Sequence, residues 1–368
     1  MSGTISIVGA GVIGRAHARA AAKLQNSVEL AVTDLSADAV KTFVQEFPLA
    51  RVFTSLDALL APSPGTNDIV VVATPPFAHM NVTVRALQSG RHVLCEKPLA
   101  LSLTEAEAML HAARLSQRRL GCCSTRFLGL PAQDRVRELL DGGSLGDVHH
   151  LTFVNRARRS RSGIEYQPAS RWFLKRSNNG GGVLMDWGPY DIACLVNSFR
   201  PERIEVCHAW MARPLTAADP ADFTSDTEQH VGASLVMHRG GCMPVNVTYE
   251  RSACTHGEEY ARVEFEGTTG AVRWDWLGGE GRVMHSSDKN GLVHTTTSLH
   301  PDSSGLGAHD KPLGFFYASV FQYLPTPALV NEYALFNFAV IRAIYDACAG
   351  GRPTRVNLSD FLGSPREE

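Results

Sequence analysis

The sequence predicts an α/β chain in two parts. A parallel sheet covered on both faces comes first, then an α+β half built on a large open, mostly antiparallel sheet. Three observations predict it. Through the first third, short apolar runs alternate with helix-length runs. A glycine turn at positions 9–14 joins the first such run to the first helix. From about Leu145 the texture changes to long β-type runs separated by turns.

Residues 4–8 (TISIV) form a strand and the alanine-rich 12–24 a helix. The alternation continues with strand 28–33, helix 38–47, strand 68–74, helix 77–89, strand 92–95, helix 103–116 and strand 120–124. Several of these strands, DIVVVAT above all, are apolar without alternation, as expected of a sheet buried on both faces. Residues 1–124 therefore make the first domain and 125–368 the second, whose last helix is free to pack back on the first. In the second domain strands are expected at 147–154, 203–211, 228–238, 242–250, 260–267 and 271–276. Helices are expected near 182–199 and 330–349, and loops at 212–226 and 285–312.

The 368 residues give room for two cores. A net charge of −2 offers no electrostatic footprint for nucleic acid or an anionic membrane. No run approaches the length of a membrane span, and the N-terminus enters a strand without a basic, then apolar, leader. Eight cysteines without a CxxC pair read as free thiols in a reducing compartment, so the cytoplasm is expected.

The turn GAGVIG follows a strand and opens a helix, matching G-x-G-x-x-G. Gly9 permits the tight turn, Gly11 lets backbone approach a pyrophosphate, and Gly14 lets helix and strand pack closely. Val12 and Ile13 lie between them, at the helix N-terminus that faces the anion. Asp34 ends the second strand, where its carboxylate accepts from ribose hydroxyls and repels a 2′-phosphate. No arginine lies between Thr33 and Val40, so a Rossmann domain for NAD is expected and NADP is disfavoured.

Just after the fourth strand stands CEKPLA, residues 95–100, with Lys97 at a strand mouth beside Pro98. Later comes GGGVLMDWGPYDIACLV, residues 180–196. There Asp186 and Tyr190 are four apart and share a helix face. With ATPPFAHMNVTVRALQSGRHVLCEKPLA (73–100), these motifs resemble the Gfo/Idh/MocA oxidoreductases over nearly the whole chain. The stretches RFLGLPAQDRVRELLDGGSLGDV (126–148) and IRAIYDACAGGRP (341–353) extend the likeness.

The resemblance implies that Lys97 reaches the substrate hydroxyl beside the nicotinamide, and that its bond to Pro98 is often cis. An ammonium suits that place, because it donates to an oxygen on which charge develops during hydride transfer. By the same resemblance Glu96 lies near the nicotinamide ribose, Thr74 and Pro75 line the cofactor, and His79 joins them in a role more structural than catalytic. Tyr190 stands where relatives with D-x-x-x-H carry a histidine proton acceptor. That departure points to the glucose–fructose oxidoreductase and dihydrodiol dehydrogenase branch. Next to an ammonium a phenol titrates lower and passes a proton. Asp186 is expected to hold a substrate hydroxyl. Arg126, Arg161, Tyr166, Arg171 and Trp172 are candidates to line the substrate pocket. No catalytic metal is expected: His149 and His150 face opposite ways on a strand, and His230, His238 and His256 lack ligand spacing.

The expected activity is NAD-dependent interconversion of a secondary alcohol and a ketone on a sugar, inositol or sugar derivative. Two other readings keep the fold. An NAD-retaining glycosidase would release sugar without net NADH, and a sensor would bind NAD and oxidise nothing. The partner is a small polyhydroxylated molecule, with no nucleic acid and no membrane. By resemblance the chain forms a homodimer or homotetramer through the C-terminal sheet. There the alternating Val231, Ala233, Leu235 and Met237 fit an apolar face in need of cover.

Overall fold

A computed structural model describes residues 3–24, 28–158, 168–214 and 225–362. The chain divides into two compact units, Met1–Arg126 with Leu306–Leu335, and Phe127–Gly305 with Phe336–Glu368.

The first unit holds a seven-stranded sheet of β1 (Gly3–Val8), β2 (Val28–Thr33), β3 (Arg51–Val52), β4 (Ile69–Val72), β5 (His92–Cys95), β6 (Leu120–Cys122) and β15 (Leu329–Val330). Their order is β15-β6-β5-β4-β1-β2-β3, parallel except for β15. Ile5, Ile7 and all of β4 are completely buried, which is why β4 reads as an unbroken apolar run. Around the sheet lie α1 (Val12–Ala21), α2 (Ala37–Glu46), α3 (Leu56–Leu60), α4 (His79–Gln88), α5 (Leu103–Ser116) and, from late in the chain, α9 (Lys311–Tyr317). Serines start three of these helices: Ser36, Ser55 and Ser102 each accept from the N–H three residues on. Glu105 also reaches back to the Leu101 N–H at 3.0 Å. In contrast, α1 begins at Gly11 without a side-chain cap, so its first N–H groups stay available. The short β3 and α3 carry too few residues to show a period and were not expected.

The second unit is built on nine strands: β7 (Val148–Arg156), β8 (Arg203–Ala212), β9 (His230–His238), β10 (Val245–Ser252), β11 (Tyr260–Gly267), β12 (Gly270–Trp274), β13 (Arg282–Lys289), β14 (Leu292–Leu299) and β16 (Thr354–Asn357). Neighbours are antiparallel except β7 and β10. Its helices are α6 (Pro131–Asp141), α7 (Arg176–Asn179), α8 (Val183–Phe199) and most of α10 (Glu332–Gly350).

Two expectations are corrected here. Residues 285–299 are not a loop: β13 and β14 form a hairpin there, while 300–310 carry neither helix nor strand, as expected. The hairpin strands are rich in Ser, Thr and His, and β14 is exposed along its length, so no apolar alternation marks it. The turn itself was legible, since Asn290 and Gly291 both take positive φ, the two-residue hairpin signature. Second, Val231, Ala233, Leu235 and Met237 do not form an open face. All four are buried, on the sheet side that α8 covers. The expected loop at 212–226 lies largely outside the described residues.

Candidate active site

The cofactor end of the site is set by β1, α1 and β2. Gly9 has φ 104°, and a Cβ there would meet the Ala73 carbonyl oxygen at 2.5 Å. A Cβ on Gly14 would meet the Gly9 carbonyl oxygen at 1.9 Å, which is the close helix–strand packing the motif needs. Gly11 differs: nothing lies within 4 Å of its Cβ position. Its open side, with the uncapped N-terminus of α1, leaves room for an anion such as a pyrophosphate. Val12 and Ile13 flank it, exposed and half-buried respectively. Asp34 is already oriented, accepting from Ala10 N at 2.6 Å and Ser36 N at 2.7 Å. Each carboxylate oxygen keeps acceptor capacity for a ribose hydroxyl. The residues present therefore fit NAD.

The glycine turn, Thr74 and Lys97 follow β1, β4 and β5, which are adjacent parallel strands. All three features thus sit at the carboxyl edge of one sheet, where open α/β sheets bind ligands. Thr74 is half-buried and Pro75 exposed. Lys97 is half-buried, and its bond to Pro98 is cis. His79 is fully buried at the start of α4, its ring nitrogens 2.9 Å from the Thr74 and Pro98 carbonyls. The ring thus braces the Thr74 loop against the turn that carries Lys97. Burial pushes its pKa down, against the pull of those carbonyls and of Glu96.

Glu96 lies beneath this edge, 4% exposed. Its Oε1 accepts from Arg126 at 2.8 Å and pairs with His17 Nε2 at 2.9 Å, and its Oε2 accepts from Lys97 N at 3.0 Å. Burial alone would raise its pKa, but the Arg126 guanidinium and the His17 bond hold it far below the carboxylate range. The carboxylate therefore anchors the Lys97 backbone, and Arg126 spends part of its guanidinium inside the protein. His17, Glu96 and Cys123 also bring three ligand-type atoms within 4.8 Å of one another. Arg126 occupies the same carboxylate oxygen, and burial raises the Cys123 thiol pKa well above its usual range. That chemistry fits an ion pair better than a cation site.

In the second unit, α8 presents Asp186, half-buried in its first turn, and Tyr190, 3% exposed. Its N-terminus rests on Glu228, which accepts from Gly182 N at 2.9 Å, Leu184 N at 3.1 Å and the Tyr345 hydroxyl at 2.7 Å. Burial pushes the Glu228 carboxyl up, and these donors oppose it. This anchor explains the run of glycines. A Cβ on Gly181 would lie 1.9 Å from the Tyr345 hydroxyl, and one on Gly182 1.8 Å from the Glu228 carbonyl oxygen. The Tyr190 ring is held edge-on by Phe127 at 5.2 Å and Trp187 at 5.8 Å.

Arg171 is exposed and Trp172 half-buried, with its ring 4.1 Å from Phe173. Arg161 and Tyr166 lie outside the described residues. Sequence reasoning missed His17, Glu228 and Tyr345. Each is distant in sequence from the motif it serves, and none falls in a recognisable pattern. No described helix is long and apolar enough to cross a membrane.

Comparison with known proteins adds the following. Residues 4–123 match the oxidoreductase family with an NAD-binding Rossmann fold, described as GFO_IDH_MocA. Residues 134–273 match the GFO/IDH/MocA C-terminal domain. The chain is 36% identical over 145 residues to glucose-6-phosphate 3-dehydrogenase of Bacillus subtilis, a match spanning 39% of each chain. It is 29% identical over 257 residues to D-glucoside 3-dehydrogenase of Escherichia coli, covering 67% of this chain and 70% of that one. Among solved structures, GenD2 from gentamicin A biosynthesis, in complex with NAD, superposes with a TM-score of 0.72. That likeness has 26% identity and covers 96% of each chain.

Proposed function

The chain belongs to the GFO/IDH/MocA oxidoreductase family and binds NAD, and from that premise we propose that it interconverts a secondary alcohol and a ketone on a sugar or sugar derivative. Relatives named as dehydrogenases of glucose 6-phosphate and of glucosides support a sugar ring as the substrate class. One observation carries the reading: the glycine cradle, Thr74 and Lys97 share the carboxyl edge of three adjacent parallel strands.

Bound at that edge, NAD supplies a hydride acceptor at C4 of its nicotinamide. Gly11 and the N-terminus of α1 hold the pyrophosphate, and Asp34 holds the adenosine ribose. In the oxidative direction the neutral Lys97 amine accepts the substrate's hydroxyl proton as hydride leaves the carbinol carbon, and Tyr190 is the other candidate to carry that proton. Asp186 accepts from a neighbouring hydroxyl and so selects which carbon is presented. Glu96 fixes the Lys97 backbone and Arg126. In the reductive direction the same groups return the proton. Arg171 and Trp172 are further candidates to line the substrate pocket in this proposal, and His79 supports the cofactor through Thr74. Eight free cysteines, most of them buried, favour a cytoplasmic setting. Self-association through the outer face of the nine-stranded sheet is part of the same reading, and light scattering on the purified chain decides it.

The test is a panel of pyranosides, inositols and sugar acids with NAD and with NADP, followed by nicotinamide absorbance and by product analysis. Lys97→Ala is expected to lose at least about 100-fold in kcat with NAD affinity unchanged. Turnover near the wild-type rate in that variant removes Lys97 from the chemistry. Sugar release without net NADH would favour an NAD-retaining glycosidase.

A further inference from the structure

A closed set of contacts lies behind Tyr190. Asp191, the next residue of α8, is completely buried and makes a two-pronged pair with the buried Arg251. It also accepts from the Tyr249 hydroxyl at 2.9 Å. Tyr249 and Arg251 stand two apart on β10, so both side chains leave the same face of the sheet. The Arg251 guanidinium lies 4.9 Å from the Trp187 ring and 5.7 Å from the Trp276 ring. Two routes run from there to the phenol. Trp187 packs edge-on to Tyr190 at 5.8 Å. Trp276 meets Phe127 at 5.6 Å, and Phe127 meets Tyr190 at 5.2 Å.

Stability alone does not account for a charge pair in this position. Desolvating two ions costs about as much as their attraction returns, and apolar side chains of similar size serve a core as well or better. What the pair supplies is direction. Two bonds to one carboxylate fix the guanidinium, where a single bond leaves it free to swing. The fixed cation then holds the indole of Trp187, and the indole holds the edge of the Tyr190 ring.

We propose that Arg251, locked by Asp191, is a positioning residue for Tyr190, and that through Trp187 and Trp276 it fixes where the phenol presents its hydroxyl. The inference rests on the reading of Tyr190 as a proton carrier and adds the groups that keep the phenol in place. Neither Arg251 nor Asp191 touches a reacting atom. A proton passes between two oxygens only across a hydrogen bond of about 2.6–3.2 Å. A swing of the phenol is therefore felt in kcat before it is felt in substrate affinity.

The test is a triple variant, Asp191→Leu, Tyr249→Phe and Arg251→Met. It replaces all three polar groups by apolar ones of similar bulk and leaves none of them buried without its partner. It is expected to melt at or above the wild-type temperature. Tyrosine labelled with 13C at Cζ reports the phenol directly, and Tyr190→Phe identifies its line among the eight tyrosines. Wild type should give one sharp Tyr190 line and the triple variant a shifted or split one. On the panel pyranoside that wild type oxidises fastest, kcat should fall at least about tenfold with KM within about threefold. An unmoved Tyr190 line in a variant that melts like wild type overturns the proposal. Should the triple variant fail to fold, Arg251→Lys is read the same way, since it keeps the charge and loses the two-pronged bond. A moved line with unchanged kcat separates the two readings: the positioning stands, and Tyr190 leaves the proton transfer.

Discussion

The Tyr345 hydroxyl donates to Glu228 Oε1 at 2.7 Å, and the same carboxylate receives the Gly182 and Leu184 N–H groups. The start of α8, and with it Asp186 and Tyr190, is therefore seated on a buried acid from another part of the unit. Glu228→Ala leaves those N–H groups buried without partners, at a cost of about 1–3 kcal/mol each. A clear drop in the denaturation midpoint is expected, with Glu228→Gln closer to wild type because it keeps an acceptor. Urea unfolding of the three proteins checks this, and equal midpoints would remove the anchor.

The glycines of the two motifs separate by what a methyl group would meet. At Gly182 it meets backbone at 1.8 Å, and at Gly11 it meets open space. Gly182→Ala is expected to destabilise strongly. Gly11→Val is expected to melt like wild type and to bind NAD at least about tenfold more weakly, because its side chain fills the pyrophosphate cradle. Thermal melts with and without NAD distinguish the two, since only the first variant should lose stability in the absence of cofactor.

Asp34 accepts from two backbone N–H groups that fix it at the end of β2. Removing the charge in Asp34→Ala takes away a charge-assisted bond to the ribose, worth about 1.5–3 kcal/mol. NAD affinity should fall about tenfold or more, while NADP, relieved of repulsion, should lose less or gain. Fluorescence titration with both dinucleotides measures the ratio. A ratio that does not move would take Asp34 out of cofactor selection.

His92 gives a pH prediction. Burial first, then the Arg118 and Arg119 charges, push its pKa down to about 4. Its Nδ1 accepts from Arg119 N at 3.0 Å, which requires the neutral ring. Between pH 6.5 and about 4 the unfolded chain binds the proton and the folded chain resists it. Stability therefore falls as pH falls through that window. His92→Gln, which cannot titrate, should lose that part of the slope, and denaturation midpoints near pH 7 and pH 4.5 read the difference.

Legibility in the sequence followed the range of the forces involved. The Rossmann half was readable because short buried strands, β4 most clearly, leave apolar runs between helix-length runs. GAGVIG was readable because a tight turn demands residue types within a few positions, and CEKPLA was readable through the family resemblance it carries. The β13–β14 hairpin escaped because it buries little, so neither strand carries apolar alternation, and Asn290-Gly291 was its one signal. Val231, Ala233, Leu235 and Met237 alternate as a buried face must, but alternation does not say what covers it.

The sequence by itself determined the fold class, the cofactor cradle and the residue types available for proton transfer, because each rests on contacts between near neighbours in the chain. Only the tertiary structure decided how those residues are held. Glu96 is fixed by His17 and Arg126, α8 is seated on Glu228 and Tyr345, and Trp187 is backed by Arg251. In each case a buried polar or charged group must find its partner somewhere in the folded unit, and the chain distance to that partner is not constrained.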